Sequence, residues 1–342
     1  MAGVRWDPIC SRPSGLVLPS HLDPAGVDGP TKVQARSGRW EWVAPGWYAP
    51  SDRPECVEQR ILDAACRLRQ GDAVTAWAAL RWRGGAFFDG LGPGGEEELP
   101  VPLIASSSLK PLPGLTLSKA QLAPTEWEYV AGLPVATIQR ALFDEVVRRG
   151  ELWAGAEAVS MAAAARLISV QLFSESLLHR AAWSGVPLAR EVVGLARDEC
   201  WSPPELRMHL IWELVAELPR ALANRAVFDL DGNLMGIPDL FDPVAGVVGE
   251  HNGEHHKEIE QHRSDVSRED RFRDHGLEYF TVVRGDNRGT IAERMYRTRA
   301  RAKFLPPESC AWTLEPPSWY QRPEPLDAYL ARTGMVQRLT HR

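Results

Sequence analysis

Two rhythms of apolar and polar positions run along this chain, and the change between them separates its parts. Apolar residues recur at helical spacing over 57–69 and again over 73–80. Short apolar runs at 100–105 and 115–117 predict strands, with Gly-rich loops between them. Gly132-Leu133-Pro134-Val135 leads into an expected helix over 136–149, and the Ala- and Leu-rich 151–180 predicts one or two more. Ser202-Pro203-Pro204-Glu205 then opens a helix, with Ser as N-cap, Pro in the first turn and Glu at the capping-box position. Leu206, Leu210, Leu214 and Leu218 continue it as an apolar stripe up to Pro219. The rhythm then shortens. Strands are expected over 225–230, 234–241 and 246–251, separated by the turn pairs Asp231-Gly232 and Asp242-Pro243. A helix over 264–275 stopped by Gly276, a strand over 277–283 and a helix over 289–304 complete the order αβββαβα.

This pattern predicts an α/β chain, α+β overall, in four parts. Residues 1–53, rich in Pro, Gly and Ser, read as an irregular arm in which Trp40, Trp42, Trp47 and Tyr48 form a short strand or an aromatic patch. Residues 54–195 read as a smaller, mostly helical α+β domain, 196–304 as the αβββαβα core, and 305–342 as a Pro-rich tail on the surface.

Composition narrows the function less than the pattern does. Of 342 residues, 44% are hydrophobic and 25% charged, which fits a folded globular protein. A net charge of -6 excludes a wholly basic nucleic-acid-coating protein, though not a local basic face. Five scattered cysteines without a CxxC pair argue for free thiols in a reducing cytoplasm and against a zinc ribbon. No apolar leader or membrane span is expected.

The chemistry concentrates around two carboxylates. Asp239 falls near the end of the second expected strand of the core and Glu250 near the end of the third. Neighbouring strands lie about 4.8 Å apart, so the two can converge on one hard cation. Mg²⁺ (or Mn²⁺) suits such a site, and a cation there can activate water and offset charge on a phosphate. A carboxylate ending an apolar strand needs a partner, and arginine, lysine or a backbone N–H would also serve. The run Glu250-His251-Asn252-Gly253-Glu254-His255-His256 is dense in acid–base types, with His256 placed beyond the turn to face the site. Its plainer reading is an exposed polar loop. A zinc site from His251 and His255 is disfavoured, because HExxH is absent. The last helix carries Arg294, Arg297, Arg299, Arg301 and Lys303, which suits either a phosphate backbone or a solvated face.

These motifs, spaced over about 197–304, resemble the endonuclease-like domains of the PD-(D/E)XK superfamily, close to very short patch repair endonucleases. The resemblance rests on the Ser202–Glu205 helix start, Pro238-Asp239, the Glu250–His256 run, Arg263, Asp265 and Arg268, and Gly276–Phe280. It implies a restriction-endonuclease-like core in which Asp239 and Glu250 hold Mg²⁺ and Glu205 approaches from its helix. It further implies that His256 orients or deprotonates the attacking water, and that Arg263 and Arg268 contact phosphate or fix the carboxylates. Glu205 also reads as a plain capping box, and either arginine as part of a solvated face. Asn252 stands where the family commonly has Asp; it hydrogen-bonds water but carries no charge. Over about 54–180, the run Gly132–Asp144 resembles AbiEi-type antitoxin-like proteins.

Two functions follow. One is a metal-dependent DNA endonuclease of a defence or repair system, with Asp239, Glu250, Asn252, His256 and Glu205 in its site and Arg263, Arg268, Arg294, Arg297 and Arg301 on DNA. The other is a catalytically inactive DNA-binding regulator of antitoxin type. A third, a metal hydrolase with a non-DNA substrate, would need a small deep pocket. DNA is the expected partner, a homodimer is left open, and no membrane is expected.

Overall fold

The computed structural model describes residues 7–105, 109–252 and 268–336. They form a mixed α+β fold that divides into two compact units. One runs from Asp7 to Val193 and takes in the chain from Leu330; the other runs from Gly194 to Tyr329. All five cysteines are free thiols.

The first unit opens with a hairpin, β1 (Trp40–Ala44) and β2 (Trp47–Pro50), at the aromatic residues of the arm for which a short strand or an aromatic patch was expected. Gly46, at φ 82°, makes its turn. There follow α1 (Val57–Ala65), β3 (Ala73–Val74), α2 (Ala76–Trp82), β4 (Val101–Ile104), β5 (Leu115–Ser118), β6 (Trp127–Val130), β7 (Leu133–Ala136), α3 (Ile138–Arg149), α4 (Leu152–Ala164) and α5 (Val170–Ser176). Strands β3 to β7 make one sheet in the order β5-β4-β3-β7-β6. The run 73–80, expected to be helical throughout, starts as the central strand of this sheet, and 133–136 is a strand where a lead-in to a helix was expected. The antitoxin-like run supplies a buried charge network. Arg140, 2% exposed, pairs with Asp144 at 3.0 Å and Glu126 at 2.9 Å, and the Thr75 hydroxyl donates to Asp144.

Helix α6 (Val186–Leu195) leads to the second unit, which begins with α7 (Pro203–Leu210). A π-helical turn over Ile211–Val215 extends α7. Its extra residue per turn rotates the apolar face, so Ile211 and Trp212 are buried while Leu214 is exposed. The expected four-leucine stripe therefore ends at Leu210.

The expected meander is redistributed over two sheets. Its residues form β9 (Val227–Asp229), β10 (Leu234–Gly236), β11 (Leu240–Asp242) and β12 (Val247–Asn252), preceded by a two-residue strand, β8 (Leu222–Ala223). Pro238 has no N–H to give to a ladder, and the run 234–241 breaks there into β10 and β11. The helix α8 (268–274) and the strand β13 (Glu278–Val283) follow, then α9 (Arg288–Arg301) with Asn287 as N-cap. The larger sheet has the order β13-β12-β11-β8, with β12 and β13 parallel and the other pairs antiparallel. The smaller one has the order β10-β9-β14. Its last strand, β14 (Trp312–Thr313), comes from the Pro-rich segment expected to lie on the surface as a tail. The segment is drawn in because Trp312 packs edge-on against buried Phe241, with ring centroids 5.1 Å apart.

Alternation along the strands gives the larger sheet two covered faces. On one, Phe241, Val248 and Tyr279 join Val227, Met235 and Phe272 of α8 in a core cluster. On the other, Phe280 stacks on Trp212 with centroids 6.0 Å apart, and it lies across Gly249. A Cβ at Gly249 would stand 2.3 Å from the Phe280 ring. Gly249→Ala should therefore cost about 1–3 kcal/mol of stability by overpacking, read as a lower denaturation midpoint at unchanged slope.

Candidate functional site

The carboxylates singled out in the sequence approach one another where α7, β11 and β12 meet. Leu240 pairs with Gly249, so the same antiparallel register, carried one residue further, sets Asp239 opposite Glu250. Asp239 precedes β11, where the sequence had placed it near the end of a strand; the break at Pro238 accounts for the shift. The half-buried Asp239 accepts a hydrogen bond from the His251 N–H at 2.8 Å. Its carboxyl is pushed up to about 7, chiefly by burial and then by the negative charge of Glu205 and Glu250, with the His251 N–H and Arg268 pulling the other way.

Glu250, 7% exposed, sits within β12 and forms an ion pair with Arg268 at the start of the described part of α8. The Tyr279 phenol stands on the same face of the sheet as Glu250, and burial with that neighbouring charge holds it far above its usual range. Glu205 is a working cap. Its carboxylate accepts from the Trp201 N–H and the Ser202 hydroxyl, both at 2.9 Å, and from the Asn224 amide at 2.8 Å. Glu205 thus fixes the helix start as the capping-box reading has it, and its negative charge acts on Asp239. Asn252 ends β12, half-buried, opposite Val283. His256 and Arg263 lie outside the described residues. Among the described residues, no group of three or more His, Cys, Asp or Glu side chains comes together as a metal-ligand set.

Two residues that the sequence did not point to complete the surroundings. His209, fully buried on α7, donates from Nε2 to the Asp239 carbonyl at 2.9 Å, a contact that fixes the tautomer because a carbonyl only accepts. Burial lowers its pKa to about 3, so the ring is neutral and its Nδ1 has no hydrogen-bond partner among the described residues. The signal available was spacing, since His209 stands one helical turn after Glu205. The other is Tyr279, two residues before Thr281, the β13 partner of Glu250.

The other arginines expected on DNA lie on α8 and α9. Arg294 donates to Asp286 at 2.8 Å and to the Thr281 carbonyl, tying α9 to β13. Arg297 pairs with Glu293, and Arg301 with Glu278 at 3.2 Å. Arg299 is inward, paired with buried Asp242 at 2.8 Å. Comparison with family models, curated proteins and solved structures finds no match to this chain.

A titration follows from the raised Asp239 carboxyl. Its folded-state pKa lies above the unfolded value of 3.8, so the folded state holds the extra proton between about pH 4 and 7, and this contribution to stability is lost as pH rises through that window. His209 acts in the opposite sense, costing stability as pH falls below its unfolded value of 6.5. The difference between the native chain and Asp239→Asn isolates the first effect. In denaturant unfolding across pH 4–7, the variant should lose less stability with rising pH than the native chain; parallel profiles would show that Asp239 carries no raised pKa.

Proposed function

We propose that the second unit is a divalent-cation-dependent phosphodiesterase acting on DNA, with Asp239 and Glu250 as the carboxylates that hold the cation. The observation that carries this reading is their placement on facing positions of adjacent chain segments, with a third carboxylate, Glu205, close enough to act electrostatically on Asp239. Carboxylates gathered in a part-buried place repel one another, and a hard cation relieves that repulsion. Mg²⁺ commonly binds through one or two carboxylates and keeps water in its other positions, so a pair of ligands fits it better than it would fit zinc.

Bound there, Mg²⁺ or Mn²⁺ would supply an activated water and offset charge on the phosphate. The chain's own residues have separate tasks. His209 holds the Asp239 backbone in place. Arg268 neutralises Glu250 and, being 38% exposed along its side chain, can turn its guanidinium to a phosphate oxygen when another cation takes over that duty. Asn252, two residues beyond Glu250 on the same strand face, can hydrogen-bond water but cannot take its proton.

One observation favours a second reading, in which the unit is a catalytically inactive DNA-binding regulator. Glu250 already has a cation in Arg268, and Asn252 is neutral. The resemblance of the first unit to antitoxin-like proteins points the same way.

The test is hydrolysis of plasmid, mismatched and single-stranded DNA, and of a small chromogenic phosphodiester, with Mg²⁺, Mn²⁺ or chelator. The expected result is metal-dependent hydrolysis reduced about 100-fold or more in Asp239→Asn and Glu250→Gln. Below pH 7, cation affinity should fall by about tenfold per pH unit as Asp239 takes up its proton. DNA binding with no hydrolysis of any substrate in either metal would establish the regulator instead.

A further inference from the structure

Strand β13 is the edge of the larger sheet, and its outer side opens on a groove of about 480 Å³. Tyr279 and Phe280, pointing to opposite faces of the sheet, both line it, so the groove runs across the strand edge between α8 and α9. Its walls are cationic and hydroxylic. Arg273 comes from α8, while Thr290, Arg294, Arg297, Thr298 and Arg301 form a stripe along α9. From Thr290 to Arg301 the stripe is roughly 16 Å long at 1.5 Å per residue.

The groove also holds Glu269 and Glu293, which pair with Arg273 and Arg297 one helical turn away on their own helices. These are exposed pairs, with arginine side chains 48% and 68% accessible. Pairs of this kind contribute little and are screened by salt, so a competing anion displaces the glutamates readily. Guanidiniums exchange carboxylate for phosphate with the same two-pronged geometry. Arg294 pairs with Asp286 and Arg301 with Glu278, so each lining guanidinium has a carboxylate of its own, and the exposed pairs of Arg273, Arg297 and Arg301 are the ones open to exchange.

We propose that this groove binds the sugar-phosphate backbone of a nucleic-acid strand, with Arg273, Arg297 and Arg301 on phosphate oxygens and the exposed Thr290 donating a hydroxyl hydrogen bond. Tyr279 brings the groove near the carboxylates, because the residue lines the groove and stands on the same sheet face as Glu250. The inference deepens the reading of the second unit as a DNA phosphodiesterase and rests on it for the class of ligand. Arg294 serves differently: it is tied to Thr281 and Asp286 and shapes the wall.

Fluorescence anisotropy of the full chain with a labelled single-stranded oligonucleotide and with a short duplex, in chelator, tests this without any hydrolysis. Arg297→Gln/Arg301→Gln should weaken binding about tenfold or more and reduce the slope of log affinity against log salt by about 1.5, for two lost phosphate contacts. Arg225→Gln/Arg322→Gln removes the same charge from exposed positions of this unit outside the groove and should change affinity less than twofold. Glu269→Gln/Glu293→Gln should tighten binding. Equal losses in the two arginine double variants would overturn the groove as the site, as would affinity unchanged in Arg297→Gln/Arg301→Gln at an unchanged thermal midpoint. Binding of a peptide or inorganic phosphate without nucleic acid would also overturn it. Hydrolysis of the chromogenic phosphodiester tells the two ideas apart: if it persists while the groove variants bind DNA normally, the groove fails and the phosphodiesterase stands.

Discussion

A carboxylate buried near the end of a core strand must be given a compensating charge, and much of the second unit is arranged around that demand at Glu250. Water cannot solvate it there, so Arg268 pairs with it, and Tyr279 stands beside it on the same face of the sheet. Both residues also bind structure together. Arg268 ties α8 back to β12, and Phe272, one helical turn further on, enters the core cluster beneath the sheet. Tyr279 packs from β13 on the same face, where its strand partner is Val248. Removing the charge of Glu250 would thus loosen the tie between α8 and β12, and the same side chain answers both for the integrity of the sheet and for its chemistry.

On the opposite side, α7 performs two services from one stretch of helix. Glu205 satisfies backbone and side-chain donors at the helix start, and His209, a turn later, holds the carbonyl of Asp239. Asp239 is therefore positioned through its backbone from one direction and through its carboxylate, by the His251 N–H, from another. The electrostatic setting at Asp239 is uneven: burial, Glu205 and Glu250 raise its carboxyl, while Arg268 and the His251 N–H oppose them. Such imbalance is what allows a site to respond to the arrival of a cation or a proton.

Local features of this architecture were legible in the sequence, and partnerships across the chain were not. Periodicity located β12, β13, α9 and the end of α8 to within a few residues, and the Asp239–Glu250 pairing followed because the two lie on either side of one short turn. The capping role of Glu205 was readable from Ser202 three residues earlier. The two-residue strand β8 has too few positions to show a period, and the strand break at Pro238 was missed because hydrophobicity continues through it. The π-helical turn after Leu210 changes which side chains face inward without changing their character, so Leu214 looked buried. His209 reads as an ordinary helix residue until the carbonyl it serves, thirty residues later, is folded against it. The resemblance to endonuclease-like and antitoxin-like domains drew on short motifs, and no comparison with known proteins adds to them.

The smaller sheet is closed by a strand from far along the chain: Thr313 pairs with Phe228. During synthesis, β9 leaves the ribosome about 85 residues ahead of its partner, which at about 5–20 residues per second is a delay of roughly 4–17 s. Throughout that interval Phe228 lacks Trp319 and Tyr320, and Phe241 lacks Trp312. The nascent chain therefore carries an aromatic surface and an unpaired strand edge, of the kind that chaperones recognise, until its proline-rich final stretch emerges to cover them.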